Sequence, residues 1–495
     1  MNNTVRGRIL PSMRSSSTVL IVGVLFQLLI VVLFYMNLHP HILRLMPDDS
    51  FYYLKIAQNI SSNLGSVFSP GEPTNGYHPL WMGILILVQY SLRPGNEFFI
   101  LSVLLLSVAF NAFTALILRR FLKVLGFAEE QQTLGIGLYL FLPWLVLLTL
   151  SGLETPLFLM CLLFFFIMLQ KVITSDNERI KEYVLLGISA GLLFLSRTDS
   201  VFFIVTGAVI LLLRKRTLTA LRNLLVTGIV TTLISLPWLL WCQIRFGSPL
   251  QSSGLALSYL RWHTMYPVDT LKYWVLNAGR LFHKLAIIFM SPFVYHAQDF
   301  ETIIPIWCDV LMLLIAAGTV YYLLRKRKDI ILPAYIWLSA VLLLVFYTFV
   351  RIASAVWHMS VFALILLLII LNITRHIRHK SWTLGAFILT CLAINFYTLG
   401  NGFYYPQQVT DLITRAESIG NGSDSILTVG TTDAGYIGYF SRHVVVNLDG
   451  VVNQRAFEHI RDGTLGEYLY ELDLDFVNVS PERLEFYCRN GILYQ

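Results

Sequence analysis

Residues 19–38 contain no charged side chain. A run of that length and character matches the hydrocarbon core of a bilayer, about 30 Å thick, which a helix crosses with roughly 20 mainly apolar residues. Comparable runs recur through residues 1–400, and the composition agrees with them. Hydrophobic residues make up 56% and charged residues 13% of the 495-residue chain, with a mean hydropathy of +0.67, whereas a soluble domain carries about 25% charged residues. Arg6, Arg8 and Arg14 precede the first run as in a signal peptide, but the run is too long and lacks a small-residue cleavage site, so it reads as a retained first span. The net charge of +7 is distributed as short basic clusters beside apolar runs, the pattern of cytoplasmic loops rather than of a nucleic-acid surface. Cys161, Cys242, Cys308 and Cys391 lie in or beside apolar runs and only Cys488 in a polar region, which leaves no disulfide framework.

Charge then sets the topology. With a cytoplasmic N-terminus, residues 39–79 emerge on the far side. The basic clusters at 119–123, 171–181, 214–216, 325–328 and 375–380 each follow an even number of crossings, as the positive-inside rule requires. The parity holds only if 78–90 is not a span; that segment is too short to cross and starts at a proline, which places it on the far-side membrane surface. The expected spans are 19–38, 98–118, 132–150, 156–170, 183–196, 200–213, 223–242, 304–324, 331–350, 359–374 and 381–399. The short pair 183–196 and 200–213 implies that its turn opens into a water-filled cavity.

From residue 401 charged residues, Gly and Asn become frequent and apolar runs shorten. Residues 425–429 and 443–448 read as short buried strands, 410–418 as an amphipathic helix, and TTDAGYIGY (431–439) as a turn feeding another helix. The expected fold is therefore an all-α polytopic membrane protein of about eleven transmembrane helices with a small C-terminal extracytoplasmic α/β domain. Residues 1–400 form the transmembrane domain, with a first extracytoplasmic loop at 39–97, and 401–495 form the C-terminal domain.

The polar residues of the far side carry the candidate chemistry. MPDDSFYYLKIAQNI (46–60) sets Asp48 and Asp49 side by side at a helix start. One such carboxylate caps a helix, but two exceed what capping needs, and acids at a membrane boundary point to a site. PGEPTNGYHPLW (70–81) brings His78 to the entry of the surface helix, SGLETPLF (151–158) places Glu154 between two spans, and LSRTDS (195–200) turns Arg197 and Asp199 to the same side. GTTDAG (430–435) lacks the lysine of a phosphate loop and the full GxGxxG pattern, so it reads as a strand-to-helix turn.

In that order, the acidic pair, the His-Pro helix, the arginine pair Arg119–Arg120, the Gly-x-Glu-Thr segment, the Arg-Thr-Asp turn and the FGSPLQSSG loop (246–254) resemble the GT-C superfamily of membrane glycosyltransferases. More narrowly, they resemble its bacterial Rgt-type and family 39 members. The resemblance spans about residues 19–400. It implies inverting sugar transfer from a polyprenyl-phosphate donor to an extracytoplasmic acceptor, whether glycan, lipid or protein, in the cell (inner) membrane. Asp48 matches the family's first-loop acid, with Asp49 and Glu154 as further catalytic candidates. His78, Arg197, Asp199, Arg245, Arg351 and His358 are the substrate-binding candidates, the arginines because a guanidinium pairs bidentately with phosphate. Each has a structural alternative: Arg245 and Arg351 can snorkel to the interface, Arg197 and Asp199 can lock each other, Glu154 can cap the helix after it, and Trp357 with His358 can belong to the interfacial belt. No spacing dictates a metal site, although Asp48, Asp49, Glu154 and His78 are hard ligands that allow a divalent metal. The competing functions are a lipid-linked oligosaccharide flippase or transporter, an O-antigen polymerase or ligase, and a noncatalytic assembly protein. A transporter would show paired repeats around a midplane site rather than acids and arginines at far-side helix ends.

Overall fold

The computed structural model describes residues 16–264, 278–279, 331–350, 356–374, 389–395, 406–420, 425–489 and 491–493. Up to residue 374 these form helices α1 (Ser16–Met36), α2 (Leu38–Leu45), α3 (Asp48–Ser61), α4 (Pro79–Leu92), α5 (Asn96–Val124), α6 (Glu129–Phe141), α7 (Pro143–Thr149), α8 (Thr155–Thr174), α9 (Ile180–Ser196), α10 (Val201–Arg214), α11 (Leu218–Phe246), α12 (Ser252–Thr264), α13 (Ile331–Val350) and α14 (Ser360–Ile373). Helices α1, α5, α8 and α11 are long and apolar enough to cross a membrane, and α6 with α7, bent by 59°, makes a fifth, broken span. Pro143 causes the break: it has no N–H to donate and holds Leu142 extended, at φ −64° and ψ 121°.

The described residues thus carry four or five spans where about eleven are expected. Helices α9 and α10 have 17 and 14 residues, short of a full crossing. The apolar stretches Ala334–Thr348 and Trp357–Asn372 are also short. The expected span at 304–324, and all of 381–399 but residues 389–395, lie outside the described residues.

Inside an apolar bundle polar side chains must find each other, because lipid supplies no partners. Asn111 donates to Gln27 Oε1 at 3.0 Å and to Thr149 Oγ1 at 2.9 Å, accepts from Tyr139 at 2.8 Å, and so ties α1, α5, α6 and α7 together. Helices α9 and α11 approach through small residues. A Cβ on Gly187 would lie 2.8 Å from the Thr227 carbonyl, and one on Gly191 2.7 Å from Ile234. The Thr227 hydroxyl uses that proximity to donate across to the Tyr183 carbonyl at 2.9 Å.

The C-terminal part comprises α15 (Pro406–Gly420), β1 (Thr428–Thr431), α16 (Gly435–Phe440), β2 (Val444–Asn447), α17 (Gln454–Asp462), α18 (Leu465–Glu471), β3 (Phe476–Asn478) and α19 (Pro481–Arg489). The strands form one parallel sheet in the order β2-β1-β3. Val446, Leu448, Ile460, Tyr468 and Tyr487 pack as its core. The first expected strand sits three residues later than anticipated, and β3, absent from the expectation, completes the sheet.

This unit sits against the first loop. Phe51 of α3 meets the rings of Tyr436, Tyr439 and Phe440 at 5.4–5.8 Å. Ser69 donates to the Val445 carbonyl at 2.6 Å, Arg455 pairs with the buried Glu72 at 3.1 Å, and Asn96 and Tyr439 exchange hydrogen bonds. At the closest approach a Cβ on Gly435 would lie 2.2 Å from the Asp48 carbonyl oxygen. Gly435→Ala should therefore overpack the contact at about 1–3 kcal/mol and lower the thermal midpoint of the full-length protein. Gly83→Ala in α4, where nothing lies within 4 Å, should leave the midpoint unchanged or raise it; equal midpoints for the two variants would contradict the docked arrangement.

Candidate functional site

Helix α3 begins after Pro47, whose extended backbone (φ −69°, ψ 162°) delivers the chain from α2, and neither Asp48 nor Asp49 caps its own helix. The helix carries two doubled pairs, Asp48–Asp49 and Tyr52–Tyr53. Successive residues of a helix stand about 100° apart and residues four apart stack, so Asp48 and Tyr52 make one stripe and Asp49 and Tyr53 the next.

The first stripe faces the C-terminal unit. Asp48 Oδ2 accepts the Gly435 amide at 2.9 Å and Oδ1 the Tyr436 amide at 2.7 Å, so Asp48 covers the start of α16, 387 residues away in sequence. Tyr52 Oη accepts the Ala434 amide at 2.8 Å and the Asn447 side chain at 3.2 Å. Asp433 and Asp449 close this corner: the Asp433 amide lies 3.4 Å from Asp449 Oδ2, and Asp449 Oδ1 accepts the Val451 amide at 3.0 Å.

The second stripe faces the helical bundle. Tyr53 donates to Glu154 Oε2 at 3.3 Å and accepts the His78 amide at 2.9 Å. Glu154 stands at the entry to α8 but makes no capping bond. Its Oε1 instead takes Arg197 Nη1 at 3.0 Å, with His78 Nε2 at 3.6 Å. Arg197 is 1% exposed. It forks its other nitrogens onto Asp199, at 3.2 and 2.6 Å, and lies over the Phe158 ring. Tyr347 of α13 donates to Asp199, and the His358 ring packs against Tyr347 with centroids 5.6 Å apart. The FGSPLQSSG loop closes the group from outside: Gln251 donates to the Tyr77 carbonyl at 2.6 Å, lies 3.2 Å from His78 Nδ1 and accepts from Thr198 at 3.1 Å. Asp49, partly buried, stands between this cluster and the C-terminal unit.

Burial and crowded negative charge set the titration of the first-loop acids. Burial, then the charges of Asp48, Asp449, Asp433 and Glu154, push Asp49 up to about 8. Burial and the charge of Asp433 raise Asp48, the amides of Tyr436 and Gly435 pull it back, and it rests at about 7. Burial lowers His78, which favours its neutral form, against an opposing pull from Glu154.

Six of the nine residues singled out by sequence, Asp48, Asp49, His78, Glu154, Arg197 and Asp199, come together around α3, and His358 borders them through Tyr347. Arg245 is exposed in the last turn of α11. Arg351 lies outside the described residues. The Tyr52, Tyr53, Gln251, Tyr347, Asp433 and Asp449 contributions were not anticipated. A usable signal existed for the last pair, since each Asp follows the carboxyl end of a parallel strand by two residues, where open α/β sheets place their functional groups. Among the described residues no group of three His, Cys, Asp or Glu side chains gathers closely enough to hold a metal ion. The GTTDAG segment is the turn from β1 into α16.

No family model matches the chain, and no curated protein matches it in sequence. Solved structures do match. The archaeal oligosaccharyltransferase AglB of Archaeoglobus fulgidus, in complex with an inhibitory peptide and a dolichol-phosphate, aligns with 96% of this chain and 70% of its own at a TM-score of 0.55 and 14% identity. The apo form of the Archaeoglobus fulgidus oligosaccharyltransferase aligns with 94% of this chain and 69% of its own at 0.57 and 12%. Apo ArnT from Cupriavidus metallidurans aligns with 96% of this chain and 95% of its own at 0.55 and 12%. At such identities the likeness shows the fold alone: the chain shares the fold of the Archaeoglobus fulgidus oligosaccharyltransferase and of ArnT.

Proposed function

We propose that this protein is an inverting membrane glycosyltransferase that moves a sugar from a polyprenyl-phosphate donor to a hydroxyl of an extracytoplasmic glycan, lipid or protein. The observation that carries the reading is the second stripe of α3: Asp49, its carboxyl pushed up to about 8 by burial and neighbouring carboxylates, lies near Glu154 of the Glu154–Arg197–Asp199 group. The GT-C fold supports the reaction class, and the dolichol-phosphate bound to AglB supports a polyprenyl-phosphate donor. The ordered motif set supports kinship with the bacterial Rgt-type and family 39 enzymes. Basic clusters after alternate apolar runs support a cytoplasmic N-terminus and an extracytoplasmic C-terminal domain.

In this mechanism the Asp49 carboxylate takes the proton of the acceptor hydroxyl as its oxygen attacks the anomeric carbon. The bond from that carbon to the phosphate oxygen breaks with its electron pair, inverting the centre and leaving a lipid phosphate. Glu154, fixed by Arg197 and Tyr53, orients the acceptor. Arg197 is already shared between two carboxylates and acts as their clamp, so the leaving phosphate draws on Arg245, in the last turn of α11, and on Arg351, with His78 and His358 as hydrogen-bonding partners.

Three outcomes test the reading. Purified protein given a polyprenyl-phosphate sugar and a suitable acceptor should transfer the sugar, and Asp49→Asn should lower kcat by about 10²–10⁴-fold with donor KM near that of the wild type; full activity in that variant would remove Asp49 from the base role. The base must be ionised, so kcat/KM, which reports the free enzyme, should climb with pH to a plateau above about 8 and fall roughly tenfold per pH unit below it; a flat profile between pH 6 and 9 would contradict the assignment. Arg197→Ala strands the buried Glu154 carboxylate and the partly buried Asp199 and should cost about 3–5 kcal/mol of stability, which Arg197→Lys, unable to fork onto both partners, should not fully restore. Thermal midpoints of the two variants measure this, and a wild-type midpoint for either would show that the clamp is dispensable.

A further inference from the structure

The contact between α3 and the C-terminal unit is built in more detail than simple attachment requires. Three consecutive backbone amides, those of Ala434, Gly435 and Tyr436, are all spent on Tyr52 and Asp48. Asp433 adopts a left-handed backbone (φ 50°) immediately before them, a conformation that Asp tolerates better than most residues. Gly435 leaves no room for a side chain against Asp48. The unit is also pinned at Glu72–Arg455, at Ser69, at Asn96 and through Tyr259, whose hydroxyl donates to the Arg461 carbonyl at 2.9 Å. Anchors on so many segments describe a fixed wall rather than a lid.

The geometry points to the C-terminal domain as a positioning element of the transfer site: by gripping Asp48 and Tyr52 it sets the rotation of α3, so that Asp49 and Tyr53 present themselves to Glu154. This rests on Asp49 as the base. The coupling is steep because the two stripes are one residue apart. A slip of α3 about its axis that released Asp48 from the amides would carry Asp49 away from the cluster by a similar arc. Asp48 and Asp449 also face Asp49 with negative charge, together with Asp433 from the β1–α16 turn and Glu154 from the α8 entry, and this crowding keeps the base less acidic than a free carboxylate. Asp48, Tyr52, Asp433 and Asp449 are thus positioning residues, acting on the acceptor through Asp49.

The test uses the full chain in lipid nanodiscs, with amide hydrogen exchange at residues 434–440 as the docking readout and steady-state transfer as the functional one. Asp48→Asn keeps the shape but loses the charge and one good acceptor. It should speed exchange at 434–436, lower kcat at least tenfold with both KM values near wild type, and move the pH limb of kcat/KM to lower pH. Tyr52→Phe, the milder change, should speed exchange at Ala434 and lower kcat without moving the limb. Glu72→Gln, which loosens the domain at a distance, should behave as Tyr52→Phe does. Faster exchange with wild-type kcat and pH limb would overturn the proposal, because docking would then be separable from the base. Unchanged exchange in all three variants would overturn it by removing the grip itself. A wild-type protein that transfers no sugar would instead remove the transferase reading, leaving the exchange data to report on the contact alone.

Discussion

The amides of Ala434, Gly435 and Tyr436 meet Tyr52 and Asp48 across a boundary between two very different folds, an apolar bundle and a small parallel sheet. Most of the site's arrangement follows from that junction. A helix of 14 residues has little stability of its own, so α3 takes its orientation from what it touches on either side. On one side it is held by backbone hydrogen-bond donors, which have fixed positions. On the other it is held by Tyr53 reaching Glu154 and by the Ser50 hydroxyl donating to the Ser151 carbonyl at 2.6 Å. The chemistry is consequently carried by residues on several segments rather than by a single motif.

Burial explains why the bundle side can hold so much charge. Arg197 is nearly sealed from solvent, and an isolated guanidinium there would be prohibitive. The Glu154 carboxylate, the Tyr347 hydroxyl and the Phe158 ring surround the Arg197–Asp199 pair, so the group is close to self-satisfied. Around Asp49 the balance is the reverse: carboxylates outnumber nearby cations, and its proton is correspondingly hard to remove. In the proposed mechanism the two neighbourhoods, separated by one helix face, provide a rigid scaffold and a tunable base from the same residue types.

Much of this is legible in the chain, and its limits have physical causes. Lipid forces long apolar runs, so α1, α5, α8 and α11 can be read directly. The described residues show four or five spans and not eleven, since α9 and α10 are shorter than the bilayer is thick and further expected spans lie outside the described residues. The duplicated Asp and Tyr of α3 mark the site, but spacing cannot say that Asp48 turns towards Gly435, because no local rule links positions 387 residues apart. Neither aspartate caps its own helix; Asp48 instead accepts amides at the start of α16, in the C-terminal unit. Strand β3 escaped notice because it is three residues long and half-exposed, too little for alternation to register. Asp433 lies in the segment that reads as a turn and Asp449 one residue beyond the expected strand at 443–448, and the importance of both emerges once the sheet is known to be parallel.

The most direct test of the central claim is a structure of the full-length protein with a polyprenyl-phosphate sugar bound. The account predicts that the sugar lies over the Asp49–Tyr53 stripe, with its anomeric carbon within a hydroxyl's reach of the Asp49 carboxylate and Glu154 alongside. A sugar bound near the bilayer midplane, or across the Asp48 face with the C-terminal domain displaced, would contradict it.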